Sequence, residues 1–433
     1  MHVAVVSLGA GRPDAARLRR TVDARLARVP RFRQVIARVP LDVGRPVWVD
    51  DVTFDLSHHL RHIALPAPGD EAQLREFCDR MAGEPLDPTR PLWELWIVEG
   101  VAPDRFALVS KVHPLLADGV GSPEITDKLF SAEPDEPIGT MPEWRAREEP
   151  NGWRLAVDGA LEAAGNVVMA GLRGRVFTAP ARGLLRVGDV RRLASRRPAG
   201  PFDAAAASRD RDVAWLSVPL AELGEARHIA GATVNEVLLT GIAEGLSCWL
   251  SARATKPATG RLRILLPLTT SLRAERGALG SRVSGVVPLL PVGEMTAAER
   301  LARVSAAVEE AIGRRVPAPA IDISAMGTFA PPTLLAQAAR LQWNAPAFDV
   351  SVTNAPGPAE PRYCGGSEIL EVRPIMPLGV GRSLSVAAVS YNGTVSIGLT
   401  ADPGRIPDLD DLAAAMAAGF ERLRIGKRKR RAA

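Results

Sequence analysis

The chain has 433 residues, 46% of them apolar and 24% charged, with a net charge of +5. That length exceeds what one ordinary core organises, so two domains are expected, and the composition is that of a globular protein. No apolar run approaches the ~20 residues that span a bilayer, and no basic n-region precedes the first apolar run, so neither a membrane-spanning helix nor a signal peptide is expected.

The first element is a strand over Val3 to Leu8, closed by a glycine turn. Pro13 is expected to open a helix whose apolar stripe is Leu18, Val22, Leu26 and Val29. FALVSKV, residues 106–112, reads as a strand by period two. Phe106, Leu108, Ser110 and Val112 share one side, and Ala107, Val109 and Lys111 the other. Residues 1–145 thus mix strands and helices in an α+β domain. Residues 146–205 differ, with an amphipathic helix pattern from Trp153 followed by RRLASRRPAGP, an exposed linker.

A second domain is expected over 206–433. DVAWLSVPL is a strand, and ATVNEVLLTGIAEGLSCWL a helix opened by a Thr233–Glu236 capping box. Val234, Leu238, Ile242, Leu246 and Trp249 form its buried stripe. RLRILLPLTTSLR, SGVVPLLPV, FDVSVTNAPGP, SLSVAAVSY and TVSIGLTAD are expected strands, with VEEAIGRR in a helix between them. Asn392-Gly393 makes the tight turn between the last two strands, and DLDDLAAAMAAGFERLR is the closing helix. Six cations lie between Arg424 and Arg431. Such a tail either attracts anionic lipid, at about 1 kcal/mol per cation, or is simply solvated. Without interleaved aromatic residues it does not indicate nucleic acid.

Cys78, Cys248 and Cys364 are widely spaced with no CxxC, which fits a reducing cytoplasm and neither structural zinc nor a disulfide framework. GxSxG, GxxxxGK[ST] and GxGxxG after a strand are all missing, removing the α/β-hydrolase, P-loop and dinucleotide-fingerprint readings. The histidines are His2, His58, His59, His62, His113 and His228, so a histidine base must be one of these six. SHHLRH places His58 and His62 four apart, but no carboxylate or cysteine lies at ligand spacing; a surface or rim cluster is expected, and no metal. His228 is read as a surface residue.

HPLLADG, residues 113–119, resembles the HHxxxDG motif of the bacterial wax ester synthase/diacylglycerol acyltransferase family. That family belongs to the chloramphenicol-acetyltransferase-like superfamily, with the condensation domains of peptide synthetases. The resemblance extends through PRFRQ (30–34), GRPVWVDD from 44, PLDPTRPLWELWIVEG (85–100), TVNEVLLTGIAEGL from 233, LGSRVSGVVPLLPV from 279 and VTNAPGP (352–358). Met1 corresponds to a point about twenty residues into typical members.

The resemblance implies an α+β fold of two chloramphenicol-acetyltransferase-like domains around a central substrate tunnel. Acyl-CoA enters from one side as a substrate, no cofactor being needed, and a hydroxyl acceptor (a long-chain alcohol or diacylglycerol) from the other. In the family the second motif histidine removes the acceptor's proton, the aspartate holds the loop and the glycine lets the backbone approach substrate. Asp118 and Gly119 match, His113 matches the first histidine, and the base position is Pro114. Should the strand persist to residue 114, His113 points away from the tunnel; a bulge would turn it inward as a replacement base. Asn235 and Asn354 are carried over as substrate-binding positions. Glu236 stands where the family has aspartate and suits either substrate binding or capping. Trp93 reads as a core anchor.

Two functions fit. One is acyl-CoA-dependent O-acyl transfer with a weakened or reorganised base; the other is non-catalytic binding of acyl-CoA, lipid or an active partner. For either, the amphipathic stretch and basic tail imply a cytoplasmic protein held at a membrane or lipid-droplet surface.

Overall fold

The structure, a computed structural model, describes residues 2–40, 46–102, 104–116, 129–137, 144–148, 151–155, 157, 161, 200–204, 208–255, 257, 259–269, 283–313 and 348–425. In the first half these form β1 (Val3–Ala10), α1 (Ala15–Leu26), β2 (Gln34–Ala37), β3 (Val47–Asp50), β4 (Leu60–Ala64), α2 (Glu71–Gly83), β5 (Trp93–Ala102) and β6 (Arg105–Val112). Asp14, not Pro13, starts α1: its carboxylate accepts the Arg17 N–H at 2.8 Å, leaving Pro13 outside the helix. Leu18, Val22 and Leu26 are fully buried, as their spacing predicts.

The second half supplies β7 (Asp212–Pro219), α3 (Leu220–Ala230), α4 (Val234–Ala252), β8 (Arg261–Thr269), β9 (Val283–Val286) and β10 (Leu289–Pro291). It continues with α5 (Ala297–Gly313), β11 (Val350–Pro356), β12 (Arg362–Cys364), β13 (Ser367–Ile375), β14 (Leu384–Tyr391), β15 (Thr394–Ala401) and α6 (Leu409–Ile425). SGVVPLLPV, expected as one strand, is two short ones, because Pro288 has no N–H to continue a ladder. Asn392 and Gly393 have φ of 43° and 78°, the paired positive values of a tight hairpin turn. At α4, Thr233 Oγ1 accepts the Glu236 N–H at 3.2 Å and Glu236 Oε2 the Thr233 N–H at 2.9 Å, closing the expected capping box.

Two large sheets organise the molecule. The first runs β12-β13-β1-β6-β5-β4, and the second β10-β8-β11-β14-β15-β7 with β9 paired to β8. Arg362–Ile375 therefore lies in the first sheet although it falls inside the expected domain 206–433. β13 is absent from the expected strands; the antiparallel register Ala4↔Ile375 through Leu8↔Glu371 pairs it with β1.

Each face of the first sheet has its own core. Phe106, Leu108 and Val112 pack with Leu18, Val22 and Leu26 under α1. Ala107 and Val109 pack with Ala4, Val6 and Leu8 under Leu74, Phe77 and Met81 of α2, and this cluster reaches Val213 of the second sheet. The two lobes meet on that second face. Gly398 of β15 approaches Pro374 so closely that a Cβ would lie 1.9 Å from its carbonyl oxygen, which requires glycine. Trp215 Nε1 donates to the same carbonyl at 3.1 Å.

Asp79 of α2 accepts the Val213 N–H across this interface at 2.7 Å. Burial, with Asp212 and Asp410 nearby, pushes its carboxyl up to about 6. A carboxyl raised in the folded state binds its proton more tightly there, so its contribution to stability is lost as pH rises from about 4 to about 6. Asp79→Asn keeps an acceptor for Val213 and carries no charge. It is expected to gain about 1 kcal/mol at pH 7.5, after allowing for solvent screening, and nothing at pH 4. Urea unfolding at the two pH values checks this; an equal effect at both refutes the charge account.

Candidate functional site

At one end of the first sheet β6 runs out at Val112, β5 begins at Trp93 and β1 begins at Val3. His113 follows β6 directly, its N–H donating to Leu92 O at 2.9 Å. The Leu116 N–H then donates to His113 O at 2.9 Å, so residues 113–116 form a β-turn. Pro114 holds the second position of that turn, where the fixed φ of proline is favoured and no N–H is needed. The local backbone thus accounts for a proline at 114, while its side chain offers no proton acceptor.

The His113 ring is half-buried, and burial holds it below the usual imidazole range. Its Nδ1 accepts the Leu115 N–H at 3.1 Å. A neutral ring accepting at Nδ1 carries its proton on Nε2, so Nε2 donates rather than accepts. This tautomer is the wrong one for a base at Nε2. Nor does the strand persist to 114. Alternation along β6 puts His113 with Lys111 and Val109, on the face turned toward the second lobe.

Lys111 itself is 1% exposed, with Glu94 3.9 Å away. Opposite, β1 pairs with β6 through Val3↔Val112, so His2 falls next to His113 in the register. His2 is buried and lines a cavity of about 330 Å³ between the lobes. Glu84 and Ile375 come to its wall from the first lobe side, and Arg211, Arg382 and Asp402 from the second. Arg382 pairs with Asp203, and Arg211 Nη1 donates to Ser208 O at 2.6 Å.

Asp118 and Gly119 lie outside the described residues, as do positions 426–433 of the basic tail. Asn235 and Glu236 occupy the first turn of α4, where the Glu236 carboxylate is engaged in capping Thr233. Asn354 is an exposed position of β11. None of Pro114, Asn235, Glu236 and Asn354 lines the cavity beside His2.

SHHLRH divides, and the rim-cluster expectation fails for its middle residue. His59 is 3% exposed, stacked on Trp93 (centroids 4.7 Å) and Phe54 (5.2 Å), with Nδ1 2.8 Å from Trp93 O. His58 and His62 are exposed but not on a shared helix; His62 sits on β4 beside Glu99 at 2.6 Å. Among the described residues no His/Cys/Asp/Glu group is arranged to hold a metal. Trp93 is a core anchor, its Nε1 donating to Phe32 O at 2.8 Å. His228 is exposed in the last turn of α3. Sequence reasoning passed over His2; its in-phase spacing with Ala4, Val6 and Leu8 was the available signal.

Residues 1–238 match the family model of the wax ester synthase/diacylglycerol acyltransferase catalytic domain, and residues 279–424 match that of the C-terminal domain. A Mycobacterium tuberculosis protein named a probable diacylglycerol O-acyltransferase is 30% identical over 432 residues, covering 96% of this chain and 90% of that protein. The fold resembles the wax ester synthase/diacylglycerol acyltransferase from Marinobacter aquaeolei VT8 at TM-score 0.68 and 24% identity, covering 98% of this chain and 94% of that one. The first condensation domain of the calcium-dependent antibiotic synthetase matches at TM-score 0.60 and 16% identity, over 98% and 90% of the two chains. The two-lobed fold follows this pattern, and the chain belongs to the wax ester synthase/diacylglycerol acyltransferase family.

Proposed function

We propose that the protein is an acyl-CoA-dependent O-acyltransferase that moves a fatty acyl group to a long-chain alcohol or diacylglycerol. The family match through both domains carries this reading, with the diacylglycerol O-acyltransferase naming of relatives 30% identical over nearly the whole chain. The acceptor oxygen attacks the thioester carbonyl, the C–S bond breaks and CoA leaves as its thiol; no cofactor enters. Without a histidine at 114 the rate falls short of a fully equipped site, a positioned base being worth about 10²–10⁴-fold. Free CoA thiol is measured from a long-chain acyl-CoA with and without each acceptor. Acceptor-dependent release together with the matching ester supports the reading, and release no greater than the protein-free control refutes it.

A second reading, binding of acyl-CoA or lipid without turnover, is favoured by the proline at 114 and by the donor tautomer of His113. Saturable acyl-CoA binding without acceptor-dependent thiol release would establish it.

For either activity we place the protein on the cytoplasmic face of a membrane or on a lipid droplet. No helix among the described residues is long and apolar enough to cross a membrane. Trp153, Val157 and Leu161, each helical and spaced four apart in the sequence, are 73%, 52% and 65% exposed, apolar surface available to lipid. With the cations from Arg424 to Arg431, it supplies apolar and electrostatic attachment. Flotation with phosphatidylglycerol-containing vesicles is expected to exceed that with neutral ones and to fall when the tail is deleted. Flotation indifferent to both changes would refute the electrostatic part.

A further inference from the structure

Of the six histidines, four are accounted for without chemistry on the acceptor. His59 is stacked in the core, His58 and His228 are exposed away from the motif, and His62 is paired with Glu99. His113 has its Nδ1 committed to Leu115. His2 remains. It is 7% exposed, lines the interlobe cavity, and no hydrogen bond joins its ring to another described residue. Extending the β1–β6 register one residue beyond Val3↔Val112 places it opposite His113, the first residue of the turn that carries Pro114.

We propose that His2 takes the hydrogen of the acceptor hydroxyl in this chain, supplying from the residue before β1 the base that Pro114 cannot. The inference rests on the transferase reading above. In the step, the acceptor oxygen forms its bond to the thioester carbon while its hydrogen passes to a ring nitrogen of His2. The C–S bond then breaks, and the same hydrogen passes to the departing CoA sulfur, so nothing further is consumed.

The surroundings set how strong such a base is. Burial first, then Lys111 on β6, the amino terminus, His113 just after β6 and Arg211 before β7, push His2 down to about 3. Arg382 and Arg209 add positive charge to the cavity wall, and Glu84 and Asp402 negative. The imidazole is therefore neutral, with a lone pair available, throughout the physiological range. Its reduced basicity makes it weaker than an ordinary histidine, since general-base efficiency follows basicity.

The test compares wild type, His2→Gln and His2→Gln with Pro114→His, in the full chain, with a long-chain acyl-CoA and diacylglycerol or a long-chain alcohol. His2→Gln is expected to lower kcat at least about tenfold, with the KM for acyl-CoA within twofold and an unchanged far-UV spectrum. Adding Pro114→His restores the rate, because a base then stands at the motif's own position, in the turn after β6. The wild-type kcat/KM profile tests the assignment without a substitution: it stays level from about pH 6 to about pH 9, whereas the double variant rises through the ordinary imidazole range near 6.5. A folded His2→Gln protein turning over at the wild-type rate, or a wild-type profile rising near 6.5, overturns the role of His2 and leaves the transferase reading standing. No acceptor-dependent release from wild type or from Pro114→His overturns both.

Discussion

Pro114→His is expected to raise kcat about 10²-fold, the lower end of what a positioned general base supplies, because His2 already offers a weak one. The geometry permits the change. Position 114 is the second residue of a β-turn held by the Leu116 N–H to His113 O bond, and this position accepts most residues. The turn bond and the Leu115 N–H to His113 Nδ1 bond involve no atom of the residue-114 side chain, so both persist. The KM for acyl-CoA is expected to hold, since the new imidazole acts on the proton in flight rather than on the bound thioester. His113→Ala makes the complementary measurement: it removes the ring that accepts Leu115 N–H, lowering stability and leaving most of the rate. A folded Pro114→His protein that binds acyl-CoA yet gains nothing with either acceptor refutes the account of a missing base.

The largest effect on stability is expected at Glu244 in α4. Arg300 of α5 is 1% exposed, and its Nε donates to Glu244 Oε2 at 2.5 Å. Its Nη1 and Nη2 donate to Pro291 O at 2.8 Å and Gly293 O at 2.6 Å. Arg422 of α6 reaches the other carboxylate oxygen at 3.2 Å, so a single glutamate joins three helices. Glu244→Ala strands a buried guanidinium among carbonyl oxygens without a countercharge, at a cost of about 3–5 kcal/mol. Glu244→Leu with Arg300→Met removes both charges, and most of the loss is expected to return. Urea unfolding reads both; a single variant within about 1 kcal/mol of wild type would show that the pair does not hold the helices.

Much was legible where periodicity and end chemistry act locally. The stripe Leu18, Val22 and Leu26 is buried, the Thr233–Glu236 box closes, and Asn392-Gly393 turns with both φ positive. Each depends on residues within a few positions of one another. The start of α1 moved from Pro13 to Asp14 because a carboxylate can accept the free N–H of the first turn and a proline ring cannot. SGVVPLLPV divided because a missing N–H breaks a ladder, a rule that was available in the sequence and was outweighed by the apolar run.

What the sequence by itself determined, then, is the kind of protein this is: the mixed helix-and-strand elements, the HPLLADG motif with proline in its second position, and through the motif's surroundings the family. Tertiary structure decided everything that depends on pairing between distant segments. β13 joined the first sheet because its register fits β1, more than 350 residues earlier in the chain. His59 went to the core because Phe54 and Trp93 offered two ring faces. His2 came to stand beside His113 because β1 and β6 run antiparallel, with Val3 opposite Val112. The sequence spacing of two histidines says nothing of such a meeting; the hydrogen-bond register of two strands determines it.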